Sequence, residues 1–291
     1  MLTPKQLPHC IWKAVVATIN HDGIEHAGYL AFLGLLAMFP FLIFVFAVIG
    51  FLGQGEAGAA FITSMLQTFP EHITAALKPR IVEIVSGPPQ GLLTIAILGA
   101  IWTASSAVEG LRTILNRAYH VATPPAYWLR RSLSILQLLV FTFIMISGMI
   151  LMVAIPLILH HVEDWLGIHL RPEYQQYWSQ MAFAGTVGVV FAAISYIYYT
   201  IPNIRQHFVT VAPGAAIVVI AWLGAAHLFT LYLSNFNQVN LIYGSLGGII
   251  AALVFFYICN IIFIFGAEFN HQIAAALGLR IIEREATSSS G

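Results

Sequence analysis

Six residues in the segment IWTASSAVEGLRTILNRAY, residues 101–119, have types and spacing suited to chemistry. Trp102, Ser105, Glu109, Arg112, Asn116 and Tyr119 follow one another at steps of three or four. On a helix those steps put all six on one face. A charged face at the end of a membrane helix must meet water, headgroups or a partner helix. Arg112 and Arg117 suit a phosphate or carboxylate, because a guanidinium donates two parallel hydrogen bonds from a planar fork. Read functionally, the two arginines grip an anionic headgroup or metabolite while Glu109 balances charge. Read structurally, Glu109 and Arg112, three apart on one helix, form a salt bridge that pins neighbours. Glu268 and Asn270 fall near the end of the last apolar run. Equal depth then predicts one polar pocket, in which Glu268 meets Arg112 or Arg117.

The remaining polar or irregular positions carry weaker signals. YGSLGG, residues 243–248, places Gly244, Gly247 and Gly248 where helices approach closely or where a hinge moves the last span. Pro40 lies inside the first span and bends it, as static packing or as part of a gate; Pro202 in TIPN ends the fourth. His227 and Asn260 are isolated within the fifth and sixth spans. Each reads first as a helix–helix hydrogen bond, and His227 also as a proton-coupling group. His160, His161, Asp164 and His169 cluster after the third span, too loosely to define a metal site. Two cysteines, Cys10 and Cys259, give neither a disulfide framework nor a metal site. No catalytic residue, metal or cofactor is expected, and no GxxxxGK[ST] phosphate loop is present.

The elements that position these residues are membrane helices. The chain is 59% hydrophobic and 8% charged, against about 25% charged in an ordinary soluble domain. Lipid must therefore be the solvent for most of it. A span needs about 20 mostly apolar residues. Charge-free intervals locate six, at about 29–52, 91–108, 133–159, 178–201, 208–233 and 243–269. Residues 1–279 read as a single all-α transmembrane domain, and 280–291 as a polar cytoplasmic tail that frays. A short interfacial helix precedes the first span, and amphipathic helices occupy the first outer loop, residues 53–90. Nine of the twelve Lys and Arg fall on the side of the termini. This predicts both termini in the cytoplasm. Zero net charge and the lack of a basic soluble domain argue against nucleic acid as a partner.

Three motifs together resemble the YihY/BrkB family of bacterial inner-membrane proteins. They are the proline-bearing first span at 31–53, the stripe at 102–119, and YGSLGGIIAALVFFYICNIIFIFGAEFN at 243–270. The resemblance implies a six-helix fold in the bacterial inner membrane. It also brings a historical ribonuclease BN label, which these residues do not support: no His and Asp ligand cluster lies on the cytoplasmic side. The expected function is a transporter or translocase of lipid or anionic metabolites, with membrane lipids as partners. The alternative is a non-catalytic scaffold in envelope assembly. Either form is compatible with a homo-oligomer.

Overall fold

The computed structural model describes residues 6–52, 90–121, 126–166, 172–234, 245–279 and 282–283. These form helices α1 (Gln6–Asn20), α2 (Gly23–Leu52), α3 (Gln90–Ala118), α4 (Tyr127–Leu166), α5 (Pro172–Thr200), α6 (Phe208–Ser234) and α7 (Ser245–Ala276). Four stretches are long and apolar enough to cross a membrane: Tyr127–Gly148, Gln180–Thr200, Phe208–Leu233 and Gly247–Ala276. Gly23–Met38 of α2 is a shorter apolar helix. Large apolar side chains stand outward on these helices, with Ile220 70% exposed and Leu228 67%. Such a surface is stable only where lipid replaces water. The chain is an integral membrane protein.

One compact unit comprises residues 1–38, 105–137 and 191–291. In it α7 packs on both α6 and α1. Ala27 and Leu30 of α2, Ile114 of α3 and Ile264 of α7 form one core cluster. Cys10, Ala14, Phe269 and Ile273 form another. Cys10, Ala14 and Thr18 recur every fourth residue, so α1 lays a stripe of small side chains on the bundle. Trp12, Val15, Val16 and Ile19 face outward. The expected interfacial helix is thus docked on α7 by its small-residue face.

The second unit comprises residues 39–104 and 138–190. Phe41 and Phe141 meet there as a tilted ring pair with centroids 6.3 Å apart. Gly148 lets α4 close on α5, since a Cβ there would lie 2.7 Å from Val189 Cγ1.

Helices do not account for every described residue. Ile204–Arg205 (β1) pairs antiparallel with Ile282–Glu283 (β2), Ile204 opposite Glu283. Ile282 and Glu283 belong to the stretch read as a fraying tail, and here they are held by a strand pair. The Gly244 hinge, the amides of residues 235–240, His169 and the outer-loop helices lie outside the described residues. His160, His161 and Asp164 fall within α4.

Candidate functional site

The stripe of α3 is organised around a break in the backbone. Thr200–Asn203, sequence TIPN, ends α5 and turns the chain into β1. Irregular backbone inside an apolar bundle leaves carbonyls and amides that side chains must satisfy. Pro202 has no N–H to give the Tyr198 carbonyl, and Gln206 Nε2 donates to that carbonyl instead. Gln137 Nε2 donates to the Thr200 carbonyl at 2.8 Å. Arg112 Nη1 donates to the Ile201 carbonyl at 2.8 Å. The Asn203 amide donates to Asn116 Oδ1 at 2.8 Å. Arg112 and Asn116, one turn apart on α3, therefore clasp the two sides of Pro202.

Arg112 is only 3% exposed and uses more of its fork within the protein. Its Nη2 donates to Ser134 Oγ at 3.3 Å and to Gln137 Oε1. Its Nε lies 3.5 Å from Glu109 Oε2. Glu109 also accepts from Ser134 Oγ at 2.8 Å and pairs with Arg130 Nε at 3.1 Å. Arg131 Nη1 donates at 3.2 Å to Ser106 Oγ, one turn before Glu109. Two guanidiniums, those of Arg112 and Arg130, thus flank one carboxylate, with Arg131 bonded one turn away. Arg130, Arg131, Ser134 and Gln137 were not singled out in the sequence. An amphipathic reading of α4 near RRSLSILQ would have exposed them, because they recur there at helical spacing.

The expected meeting of Glu268 with Arg112 or Arg117 is replaced by a different pairing. Glu268 is fully buried, and its Oε1 lies 2.7 Å from His21 Nδ1. Arg117, roughly half exposed, pairs with Asp22. The physical reason is the α1–α2 turn, which places His21 and Asp22 between the end of α3 and α7. His120 sits edge-on to both His21 and His271, at centroid distances of 4.7 and 5.0 Å. Tyr119 lies 6.1 Å from His271. Burial raises the Tyr119 hydroxyl well above its ordinary value, so it stays neutral. Burial, then the neighbouring His21, holds His120 below the ordinary histidine value. His21, His120 and His271 carried no spacing signal. Only their common position at helix ends, level with Glu268, could have found them.

Asn270 is also structural. Pro213 interrupts the amide ladder of α6, and the next amide, Gly214, donates to Asn270 Oδ1 at 2.7 Å. Ser105 is buried, whereas Trp102 is 50% exposed and belongs to the second compact unit. His227 is on the exposed face of α6, away from any described hydrogen bond across helices. Asn260 bonds back to the Phe256 carbonyl of its own helix, at 2.8 Å, rather than across to a neighbour. Pro40 lies inside α2 as expected. Gly247 is buried, but a Cβ on Gly248 would meet nothing within 4 Å. Close approach is made instead by Gly214 and Gly266, where α6 crosses α7.

Residues 15–286 match the family described as virulence factor BrkB. The chain belongs to the BrkB family. Among BrkB-like relatives, the ribonuclease-like protein YfkH of Bacillus subtilis is 27% identical over 250 residues, covering 86% of this chain and 90% of that protein. The UPF0761 membrane protein VP0125 of Vibrio parahaemolyticus is 26% identical, covering 94% and 84%. A UPF0761 membrane protein of Vibrio cholerae is 25% identical, covering 96% and 89%. No solved structure matches the chain.

Proposed function

We propose that this BrkB-family chain is a six-span inner-membrane transport protein that captures an anionic lipid headgroup or metabolite. Both termini face the cytoplasm in this reading, and no catalytic step is assigned. The observation that carries it is the surplus of guanidiniums around Glu109. Arg112 and Arg130 both pair with this one carboxylate, and Arg130 keeps about a quarter of its side chain exposed (27%). Like charges are costly at the edge of an apolar bundle unless an anion joins them. Arg112 is occupied by the Pro202 turn, so Arg130 is the group that would receive a phosphate or carboxylate.

The test is a lipid and metabolite profile of the purified wild type and of Arg130→Ala, which spares Arg112. Loss of one charge-assisted contact, worth about 1.5–3 kcal/mol, predicts at least about a tenfold drop in a specific bound anion. Identical profiles in both folded proteins would overturn capture at this site. They would favour a second reading, a membrane scaffold in envelope assembly. That reading is supported by the saturation of Arg112 with partners inside the protein.

A further inference from the structure

We propose that Glu268 and His21, with His120 and His271 around them, form a proton-binding site. It would serve as the coupling site of the transport activity inferred above, and to that extent it rests on that reading. Four features of the geometry support it.

First, Glu268 is fully buried in α7, and its Oε2 has no hydrogen-bond partner among the described residues. A carboxylate at such depth that served only to hold the fold would have both oxygens met by donors. One oxygen on His21 and one left over describe a carboxyl that accepts and releases a proton. Secondly, the partner is a histidine and not an arginine. A guanidinium holds its charge at every accessible pH, whereas imidazole changes charge near neutrality. Thirdly, a route to solvent exists. The His21 side chain is 30% exposed and His120 is exposed, while Glu268 is not. A neutral His21 ring with its proton on Nδ1 passes that proton to Glu268 Oε1 across 2.7 Å while Nε2 takes one from the solvent side, leaving the ring neutral in its other tautomer.

Fourthly, the backbone is strained where the cluster is assembled. α3 closes with the Val121 amide on the Asn116 carbonyl, and α7 closes with the Leu279 amide on the Ala274 carbonyl. The left-handed residue is Gly278 in α7 (φ 68°) but His120 in α3 (φ 55°). Glycine is the usual occupant, because a side chain there is disfavoured. Asp22, beside His21, is left-handed too (φ 55°). Strain retained at a non-glycine residue points to a role for its side chain.

Other charged or titratable groups face the site from each element around it. The Asp22–Arg117 pair lies beside His21, with Glu25 and His26 of α2 next to that pair. Tyr119 comes from the end of α3, and Cys10 of α1 packs one turn along α7 near Gln272. The depressed pKa of His120 keeps its ring neutral and able to relay.

Infrared titration of the full-length protein in nanodiscs tests the site. A protonated-carboxyl band should titrate with pH and vanish in Glu268→Gln. His21→Gln should move its midpoint by about one pH unit or more. His120→Gly relieves the left-handed strain, so it should fold at least as stably while slowing proton exchange. His21 and His120 are solvent-accessible, so those variants carry the test should Glu268→Gln fail to fold. A carboxyl band insensitive to pH, or unchanged in Glu268→Gln and His21→Gln, overturns the proposal. Anion flux in proteoliposomes without that titration sinks the proton site and leaves transport standing. Titration without flux sustains the proton site and removes transport.

Discussion

Arg112→Ala is expected to destabilise the protein by about 3–5 kcal/mol, one of the two largest effects of any single change considered. The substitution removes donors from the Ile201 carbonyl, Ser134 and Gln137 together. It also leaves Glu109 with one guanidinium fewer at the edge of an apolar bundle. A buried acceptor stranded without its donor costs about 1–3 kcal/mol, and the Ile201 carbonyl cannot rotate away from the Pro202 turn. Arg112→Lys keeps the charge but not the fork. An ammonium on a flexible stem cannot hold a carbonyl, a hydroxyl and an amide oxygen at once, so only part of the stability should return. Denaturation of the purified protein in detergent, followed by helical signal, measures both. Arg112→Ala within about 0.5 kcal/mol of wild type would show that the clasp is not what holds the turn. By contrast, Arg130→Ala should cost little stability, since its guanidinium is partly solvated. That split separates the arginine that builds the site from the one that would use it.

The sequence made α3 legible because its polar residues recur at helical period in an apolar background. Ser105, Arg112, Asn116 and Tyr119 are indeed buried together along one face. The period says which residues share a face but not what the face meets. The partners of Arg112 and Asn116 are backbone groups at Ile201 and Asn203, far along the chain. A carbonyl or amide has no residue type, so it leaves no trace in a sequence beyond the proline that freed it. Pro202 was visible, but as the end of a span rather than as the thing to be clasped. Depth was legible for the same reason as period. Glu268 was placed level with the end of α3, and it does lie there. Its partner differs from the expected arginines because His21 closes the helix read as interfacial, and the α1–α2 turn brings it back to α7.

The helix crossing of α6 and α7 carries the second large effect. Gly214→Ala and Gly266→Ala are each expected to destabilise by about 1–3 kcal/mol or more. A Cβ on Gly214 would lie 2.3 Å from the Gly266 carbonyl oxygen and 2.4 Å from Asn270 Oδ1. A Cβ on Gly266 would lie 2.4 Å from Val218 Cγ2, 2.5 Å from the Tyr198 hydroxyl and 3.2 Å from the Gly214 carbonyl oxygen. Neither obstacle is the loose end of a flexible side chain. Gly214 meets backbone, and the Tyr198 hydroxyl is fixed by its bond to the Phe263 carbonyl. The methyl group must therefore push the helices apart. At Gly214 that also breaks the amide bond to Asn270 that compensates for Pro213. Membrane helices gain no hydrophobic drive from touching one another, so close backbone contact is what holds them together. Gly224 on α6 and Gly248 on α7 are matched controls, for a Cβ at either would meet nothing within 4 Å. Alanine at those two positions should be neutral or slightly stabilising, through its better helix propensity. Melting temperatures of the four variants in one detergent decide the matter. Equal loss at all four would mean that α6 and α7 respond to any change of glycine. Loss confined to Gly214 and Gly266 would locate the crossing directly beneath Asn270 and within one turn of Glu268. The packing that fixes α7 and the carboxyl proposed to bind protons would then share one segment of helix, so that a change in charge at Glu268 acts on a close backbone contact between α6 and α7.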